Sequence, residues 1–132
     1  DALPIYGDVF DADGCGRMIR TTGCDGVALG RIAVARPWVF AEWCDGAAPG
    51  PERFYGTMKR LLDLLPRYFD EPAALRRFRR FTLYFAANFR FGHTLHRRIQ
   101  GAASLAEMAD VVEGFFASPP ELNPVPNMNF LQ

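Results

Sequence analysis

The sequence predicts a mainly α protein in which an α/β remnant precedes a helical domain. Up to residue 45, short apolar runs alternate with helix-like stretches, in the order strand, helix, strand and short helix. After residue 51, apolar residues recur at three- and four-residue steps, which is the spacing of amphipathic helices. The connection between the two strands is parallel and right-handed by default.

The boundary between the two parts is the stretch D-G-A-A-P-G-P at residues 45–51, because glycine and proline interrupt regular structure. We divide the chain into a first part at 1–45, a linker at 46–50, a helical domain at 51–118 and an irregular tail at 119–132.

The first part contains two predicted strands, at residues 3–6 and 24–29, with a helix at 11–22 between them. The second strand contains a continuous apolar run, as expected for a strand covered on both faces. Either Asp11 or Asp13 can cap the start of the helix, and Gly23 stands where a C-terminal cap belongs.

Proline and glycine delimit the first two helices of the helical domain. Pro51 suits a first helical position, and Pro66 is expected to end that helix. A second helix starts near Pro72 and is expected to continue to Gly92.

The last two helices follow directly. A short helix is predicted at residues 93–100. Ser104 and Glu107 form a capping box that starts the final amphipathic helix, and the Pro119-Pro120 pair stops it. In the tail, Phe130 and Leu131 are candidate anchors.

The formal net charge is zero, but the middle of the chain is strongly basic. Residues 1–58 carry a charge of −3, residues 59–98 carry +7 and residues 99–132 carry −4. Fourteen of the fifteen basic residues are arginine, which suits forked contacts to phosphate. Such a block is either a solvated helix face or a surface that follows a nucleic-acid backbone. The candidate contacts are Arg76, Arg79, Arg80, Arg90, Arg97 and Arg98.

The cysteine pattern favours a reducing compartment. The three cysteines are odd in number and form no C-x-x-C pair, so we expect buried free thiols and a cytoplasmic protein. No apolar run approaches the roughly 18 residues of a membrane span. His93 and His96 lack a suitably placed third ligand, so we expect no metal site. The chain begins without Met, and we expect it to be a piece of a longer protein.

Two glycine corners end the predicted strands, at Gly7-Asp8 and at Gly30-Arg31. Parallel strands place both corners at one edge of a sheet, and in a (β/α)8 barrel the loops after the last two strands form the common phosphate site. An ordinary turn is the alternative explanation for each corner.

Four motifs resemble bacterial tRNA-dihydrouridine synthases. P-I-Y-G-D-V-F at 4–10, T-G-C-D-G-V-A-L-G-R at 22–31 and P-W-V-F at 37–40 are similar to the end of the barrel of these enzymes. R-R-F-T-L-Y-F at 79–85 is similar to the basic–aromatic run of their C-terminal helical domain. The resemblance implies the last two βα units of a (β/α)8 barrel, a TIM barrel, followed by a four-helix bundle-like domain.

Enzymes of this family use FMN to reduce a uridine of tRNA and take hydride from NADPH. The resemblance implies that the FMN phosphate lies at Gly7, Asp8, Gly30 and Arg31, and that the basic block binds tRNA. The catalytic cysteine of the family belongs to earlier barrel strands, so we expect no catalytic residue in this chain and no activity from it alone. Arg36 is a departure, since the family tends to have Asn at that position.

Two unpaired parallel strands cannot close a barrel. We therefore expect residues 1–45 to be covered by the remainder of the barrel or by another chain, or else to be poorly ordered or repacked, while residues 51–118 fold independently. Two alternatives remain open. One is a non-catalytic helical interaction module without flavin, and the other is a different flavin- or phosphate-binding TIM-barrel oxidoreductase.

Overall fold

The computed structural model describes residues 9–46 and 48–128, and in that part of the chain the protein is mainly helical. The helices are α1 (Ala12–Thr22), α2 (Arg31–Ala35), α3 (Val39–Asp45), α4 (Pro51–Tyr68), α5 (Glu71–Phe85), α6 (Gly92–Gly101) and α7 (Leu105–Phe116), with a 3₁₀ turn at Ala86–Asn88. The predicted mainly α fold class is confirmed.

The first helix begins and ends where its caps predicted. Asp11, rather than Asp13, is the N-cap, and its side chain accepts a hydrogen bond from the backbone N–H of Gly14 at 2.6 Å. Gly23 follows the helix with φ 69° and donates its N–H to the carbonyl of Ile19. Glycine suits this left-handed conformation because it has no Cβ.

The predicted second strand at 24–29 is wrong, since this segment has no regular structure. Ala28 is exposed, and Val27 and Leu29 are half-buried rather than covered on both faces. A strand needs a neighbouring strand to take up its backbone hydrogen bonds. The only β pairing among residues 9–46 and 48–128 is an isolated bridge elsewhere. The predicted strand at 3–6, with Gly7 and Asp8, lies outside the described residues.

Pro51 is the first residue of α4, as predicted, but Pro66 does not end the helix. The helix continues to Tyr68, and Phe69 donates its N–H to the carbonyl of Leu65 at 3.0 Å. A proline removes one intrahelical hydrogen bond, and so close to the end of a helix few further bonds depend on it. Tertiary packing of the apolar face of α4 against α5 and α7 outweighs this local penalty.

Helix α5 is capped by Asp70, whose side chain accepts from the N–H of Ala73 at 2.9 Å. The helix ends at Phe85, not at Gly92 as predicted. Gly92 instead begins α6, where its backbone lies against the 3₁₀ turn. A Cβ at this position would overlap the carbonyl oxygen of Ala86, so the close approach of the two backbones requires glycine.

Helix α7 starts with the predicted cap. Ser104 accepts from the N–H of Glu107 at 3.1 Å. The Glu107 carboxylate accepts from the N–H of Ala103 at 2.7 Å, one residue earlier than in the usual capping box. The described part of the tail is irregular and is attached by a bridge between Leu122 and Phe89. The candidate anchors Phe130 and Leu131 lie outside the described residues.

Helices α4 to α7 pack around one aromatic-rich core. Its buried residues are Phe54, Met58, Leu62, Leu65, Ala74, Phe78, Phe85, Phe89, Leu95, Ile99, Ala102, Met108 and Val112. Trp38, from the loop before α3, meets this core edge-on, with its ring centroid 4.9 Å from that of Phe54. Such aromatic pairs add to the stabilisation that burial gives.

Helices α2 and α3 are docked on the helical domain. Ile32, Ala35 and Val39 are fully buried, and α2 packs on α5. The boundary predicted at residue 45 is not tested by this packing and stays a prediction. The prediction of buried cysteines is wrong, because Cys44 is exposed and the other two cysteines are only half-buried.

Candidate functional site

The Gly30-Arg31 corner lies at the start of α2. Gly30 is exposed, and none of the residues that the structure describes lies within 4 Å of the position that a Cβ would take. Among the same residues, no side chain caps the first turn of α2. The Arg31 guanidinium lies 5.1 Å from the centroid of the Phe10 ring, which is cation–π distance. The corner therefore offers an open backbone and a nearby cation, and its role in phosphate binding stays a prediction.

Arg36, the residue that follows α2, makes three side-chain hydrogen bonds. Its Nε donates to Oδ1 of Asn88 at 2.8 Å, and its Nη1 pairs with Oε1 of Glu42 at 2.5 Å. Its Nη2 donates to the carbonyl of Asn123 at 2.8 Å. Trp38 donates its indole N–H to the other oxygen of Glu42 at 3.1 Å. We call these five residues the Arg36 network.

Asn88 is the buried centre of the Arg36 network. Its Nδ2 donates to the backbone carbonyls of Ala35 at 2.7 Å and Phe85 at 2.9 Å. The backbone carbonyl of Asn88 accepts from the N–H of Asn123 at 2.7 Å. Every polar atom of its side chain has a partner, as a fully buried amide requires. The network therefore holds α2, the end of α5 and the tail in one arrangement.

Burial affects the charges of the Arg36–Glu42 ion pair. Desolvation lowers the pKa of the Arg36 guanidinium, while the Glu42 carboxylate beside it acts in the opposite direction. An arginine has so high a pKa that it stays charged, so the pair is a partly buried ion pair. A cavity of about 470 Å³, lined in part by Phe10, Ile32 and Trp43, lies alongside it.

The arginines predicted to contact a phosphate backbone are in three different situations. Arg76 and Arg80 lie four residues apart on α5 and are exposed, so their side chains are neighbours on one face. Arg79 is only half-exposed, because its Nη2 donates to the carbonyl of Ala102 just after α6, at 2.7 Å. Its Nε is buried with no hydrogen-bond partner within the described ranges.

The remaining candidates lie beyond α5. Arg90 forms an ion pair with Glu121, in which its Nη1 lies 2.8 Å from each carboxylate oxygen, and both side chains are exposed. Arg97 and Arg98 are exposed on α6, and the Arg98 guanidinium lies beside Gly114 of α7. The structure thus leaves Arg76, Arg80, Arg97 and Arg98 exposed on two helices that pack together.

An aromatic cluster at the turn between α4 and α5 was missed by the sequence analysis. The Arg77 guanidinium lies 4.0 Å from the centroid of the Phe69 ring, and Tyr68 beside it is 75% exposed. The spacing contained no signal for it, because Tyr68 and Phe69 follow Leu65 by three and four positions and so continue the apolar pattern of α4.

No group of three or more metal-ligating side chains lies within residues 9–46 and 48–128. Partial burial lowers the pKa of His96, whose Nε2 lies 3.0 Å from the side-chain nitrogen of Gln100. No helix in the described part of the chain is both long enough and apolar enough to cross a membrane.

The fold and the exposed groups define the class of protein: in the part of the chain that the structure describes, it is a mainly α protein with exposed arginines on α5 and α6. The family model for dihydrouridine synthase (Dus) matches residues 3–117. The chain therefore belongs to the dihydrouridine synthase family, which confirms the resemblance found in its motifs.

Three relatives support this assignment. A probable tRNA-dihydrouridine synthase of Mycobacterium tuberculosis is 30% identical over 115 residues, covering 80% of this chain and 30% of the relative. One from Mycobacterium leprae is 31% identical over 115 residues, with the same coverages of 80% and 30%. The tRNA-dihydrouridine synthase B of Pseudomonas putida is 37% identical over 43 residues, which is 31% of this chain and 13% of the relative. The chain spans about 30% of the length of the mycobacterial relatives.

Proposed function

We propose that this chain is the C-terminal part of an FMN-dependent tRNA-dihydrouridine synthase, an enzyme that reduces uridine in tRNA to dihydrouridine with NADPH as reductant. In this proposal residues 1–45 are the last two βα units of a TIM barrel, and residues 51–118 bind tRNA. The observation that carries it is the family match over residues 3–117. The names of the relatives, tRNA-dihydrouridine synthases, support the choice of substrate. We also propose a cytoplasmic location, where tRNA is modified.

The cofactor part of the proposal places the FMN phosphate at Gly7, Asp8, Gly30 and Arg31. Residues of the second corner fit such a group, because no described residue lies within 4 Å of the Cβ position of Gly30 and no described side chain caps the first turn of α2. Arg31 adds an exposed cation that suits a phosphate. FMN supplies the hydride chemistry when bound, and the residues of this chain bind and orient its phosphate end.

The Arg36 network has a supporting role in this proposal. Three hydrogen bonds from one guanidinium join the residue after α2 to the 3₁₀ turn, to α3 and to the tail. The Gly30-Arg31 corner directly precedes α2. A corner that is held in place before the ligand arrives binds it with a smaller loss of conformational entropy.

The RNA part of the proposal assigns phosphate contacts to Arg76, Arg79, Arg80, Arg90, Arg97 and Arg98. Exposed arginines on α5 and α6 support it, because their positive charge can follow a phosphate backbone. Arg79 and Arg90 already have partners within the protein, so their contribution to RNA affinity is expected to be smaller. Recognition by such a surface reads charge and shape rather than base sequence.

The test is the affinity for bulk bacterial tRNA over a series of salt concentrations, with the Arg76→Ala, Arg80→Ala double variant. We expect weaker binding and a slope of log affinity against log salt that falls by about 1.5 to 2, because two phosphate contacts are lost. Arg79 is left unchanged, since its removal would also break the hydrogen bond to Ala102.

The matched control is the Arg17→Ala, Arg20→Ala double variant, which removes two exposed arginines from α1. It should bind tRNA with the slope of the unaltered chain. Equal slopes for the chain and the α5 variant would contradict the RNA part of the proposal and favour a helical module that binds something else.

A further inference from the structure

The turn between α4 and α5 presents two aromatic rings to solvent. Tyr68, the last residue of α4, is 75% exposed, and Phe69 is 37% exposed. Most large apolar side chains nearby belong to the buried core, so these two rings are exceptions on this part of the surface. Aromatic residues and arginine are enriched at binding surfaces relative to the rest of a protein surface.

The turn is held in one conformation. The N–H of Phe69 donates to Leu65 at 3.0 Å, and the Asp70 side chain accepts from Ala73 at 2.9 Å. The Arg77 guanidinium lies 4.0 Å from the centroid of the Phe69 ring, in stacking contact. A ligand that adds to this stack therefore meets side chains that are already ordered, which lowers the entropic cost of binding.

The side chains around the two rings carry positive charge, which favours an anionic ligand. Arg76 and Arg80, which lie one turn of helix apart from each other, are exposed on the same helix as Arg77. The two acids that directly follow Phe69 in the sequence bind backbone groups, since Asp70 caps α5 and Glu71 accepts from the N–H of Leu105 at 3.4 Å. The surface thus combines π faces with cations, a combination that fits a base and its phosphates.

We propose that Tyr68, Phe69 and Arg77 form a stacking platform for an unpaired base of RNA, with the neighbouring phosphates on Arg76 and Arg80. This inference rests on the proposed function and deepens it, because it adds an unpaired base to a surface that otherwise contacts only the phosphate backbone of RNA. A π face is common to all four bases, so the platform accepts any base and requires only that it is unpaired.

The test uses the full 132-residue chain with Tyr68→Ala and Tyr68→Phe, and two probes, bulk bacterial tRNA and a 12-nucleotide oligouridine. Tyr68→Ala should weaken binding of both probes by about tenfold, since loss of one base–aromatic stack costs between roughly fivefold and a hundredfold in affinity. The slope against salt should not change, because stacking releases no counterions. Tyr68→Phe keeps the ring and should bind within about twofold of the unaltered chain.

A matched control removes an exposed ring elsewhere. Phe91 is also exposed, but its neighbour Arg90 is paired with Glu121. Phe91→Ala should leave both affinities unchanged, and a loss equal to that of Tyr68→Ala would overturn the assignment to this turn.

The outcomes separate this inference from the proposed function. If Arg76→Ala with Arg80→Ala weakens tRNA binding while Tyr68→Ala does not, the platform is refuted and the RNA-binding surface stands. If the unaltered chain binds neither probe, both are refuted. Loss with Tyr68→Ala, retention with Tyr68→Phe and an unchanged salt slope support the platform.

Discussion

Replacing Arg36 by methionine should destabilise the protein by about 3 kcal/mol. The methionine keeps much of the side-chain length but leaves Oδ1 of the fully buried Asn88 without a donor, which costs about 1 to 3 kcal/mol. It also leaves the Glu42 carboxylate without its cation, and breaking a buried pair costs about 3 to 5 kcal/mol. The two costs overlap because one guanidinium serves both partners. Since the Glu42 side chain is also 14% exposed and keeps its hydrogen bond to Trp38, we expect about 3 kcal/mol in total.

The assay is urea unfolding followed by circular dichroism, supported by a thermal melt. For a domain of this size a loss of 3 kcal/mol lowers the melting temperature by roughly 10 °C. Combining Arg36→Met with Glu42→Gln should recover about 1 kcal/mol, because the second change removes the unpaired charge while an amide oxygen can still accept from Trp38.

The control for Arg36 is Arg60→Met, which removes an exposed arginine from α4 and should cost less than about 0.5 kcal/mol. Equal losses for Arg36→Met and Arg60→Met would refute the reasoning, since they would mean that the Arg36 network contributes no more than an ordinary surface cation.

Two further predictions concern stability. Gly92→Ala should lower the free energy of unfolding in urea by more than about 2 kcal/mol, because its Cβ would overlap the carbonyl of Ala86. Gly56→Ala in α4, where no described residue lies near the added Cβ, should raise it by about 1 kcal/mol. Similar effects from the two changes would contradict the packing at the 3₁₀ turn. Hydrogen bonds from Lys59 and then from Tyr55 lower the pKa of Glu113. A lowered carboxyl pKa adds stability that is fully present above the ordinary value of about 4.3 and is lost as the pH falls through the lowered value. Unfolding of Glu113→Gln should therefore differ from that of the unaltered chain near pH 6 and converge with it at low pH, and a constant difference would count against this pair.

Local signals were enough to predict the ends of several helices. Asp11, Gly23 and Ser104 cap helices through hydrogen bonds to residues only three or four positions away, so the sequence pattern contains both partners. Pro51 belongs to the same group, because a first helical position requires no N–H. The mainly α class followed from the apolar spacing of the helical domain.

Features that depend on distant partners could not be predicted. Arg36 finds Asn88 and Asn123, which are 52 and 87 positions away, and nothing near Arg36 in the sequence indicates them. Gly92 is explained by the backbone of a neighbouring turn, not by the end of a helix. The strand predicted at 24–29 failed for the same reason, since a strand forms only beside another strand.

In the candidate site, too, the sequence predicts what depends on local composition and does not predict what depends on packing. Composition indicated a basic block, but only the packing distinguishes the exposed Arg76 and Arg80 from Arg79, which binds the carbonyl of Ala102. Exposure likewise distinguishes Tyr68 from the many aromatic residues that form the core.

The proposed binding of tRNA by the arginines of α5 and α6 can be measured residue by residue through the side-chain N–H signals of arginine. The chain, labelled with nitrogen-15 in arginine, is titrated with bulk bacterial tRNA while the Nε–H resonances are followed by NMR. We predict that the signals of Arg76, Arg80, Arg97 and Arg98 shift, while that of the buried Arg36 does not. Unchanged signals from the four exposed arginines at saturating tRNA would contradict the proposed binding.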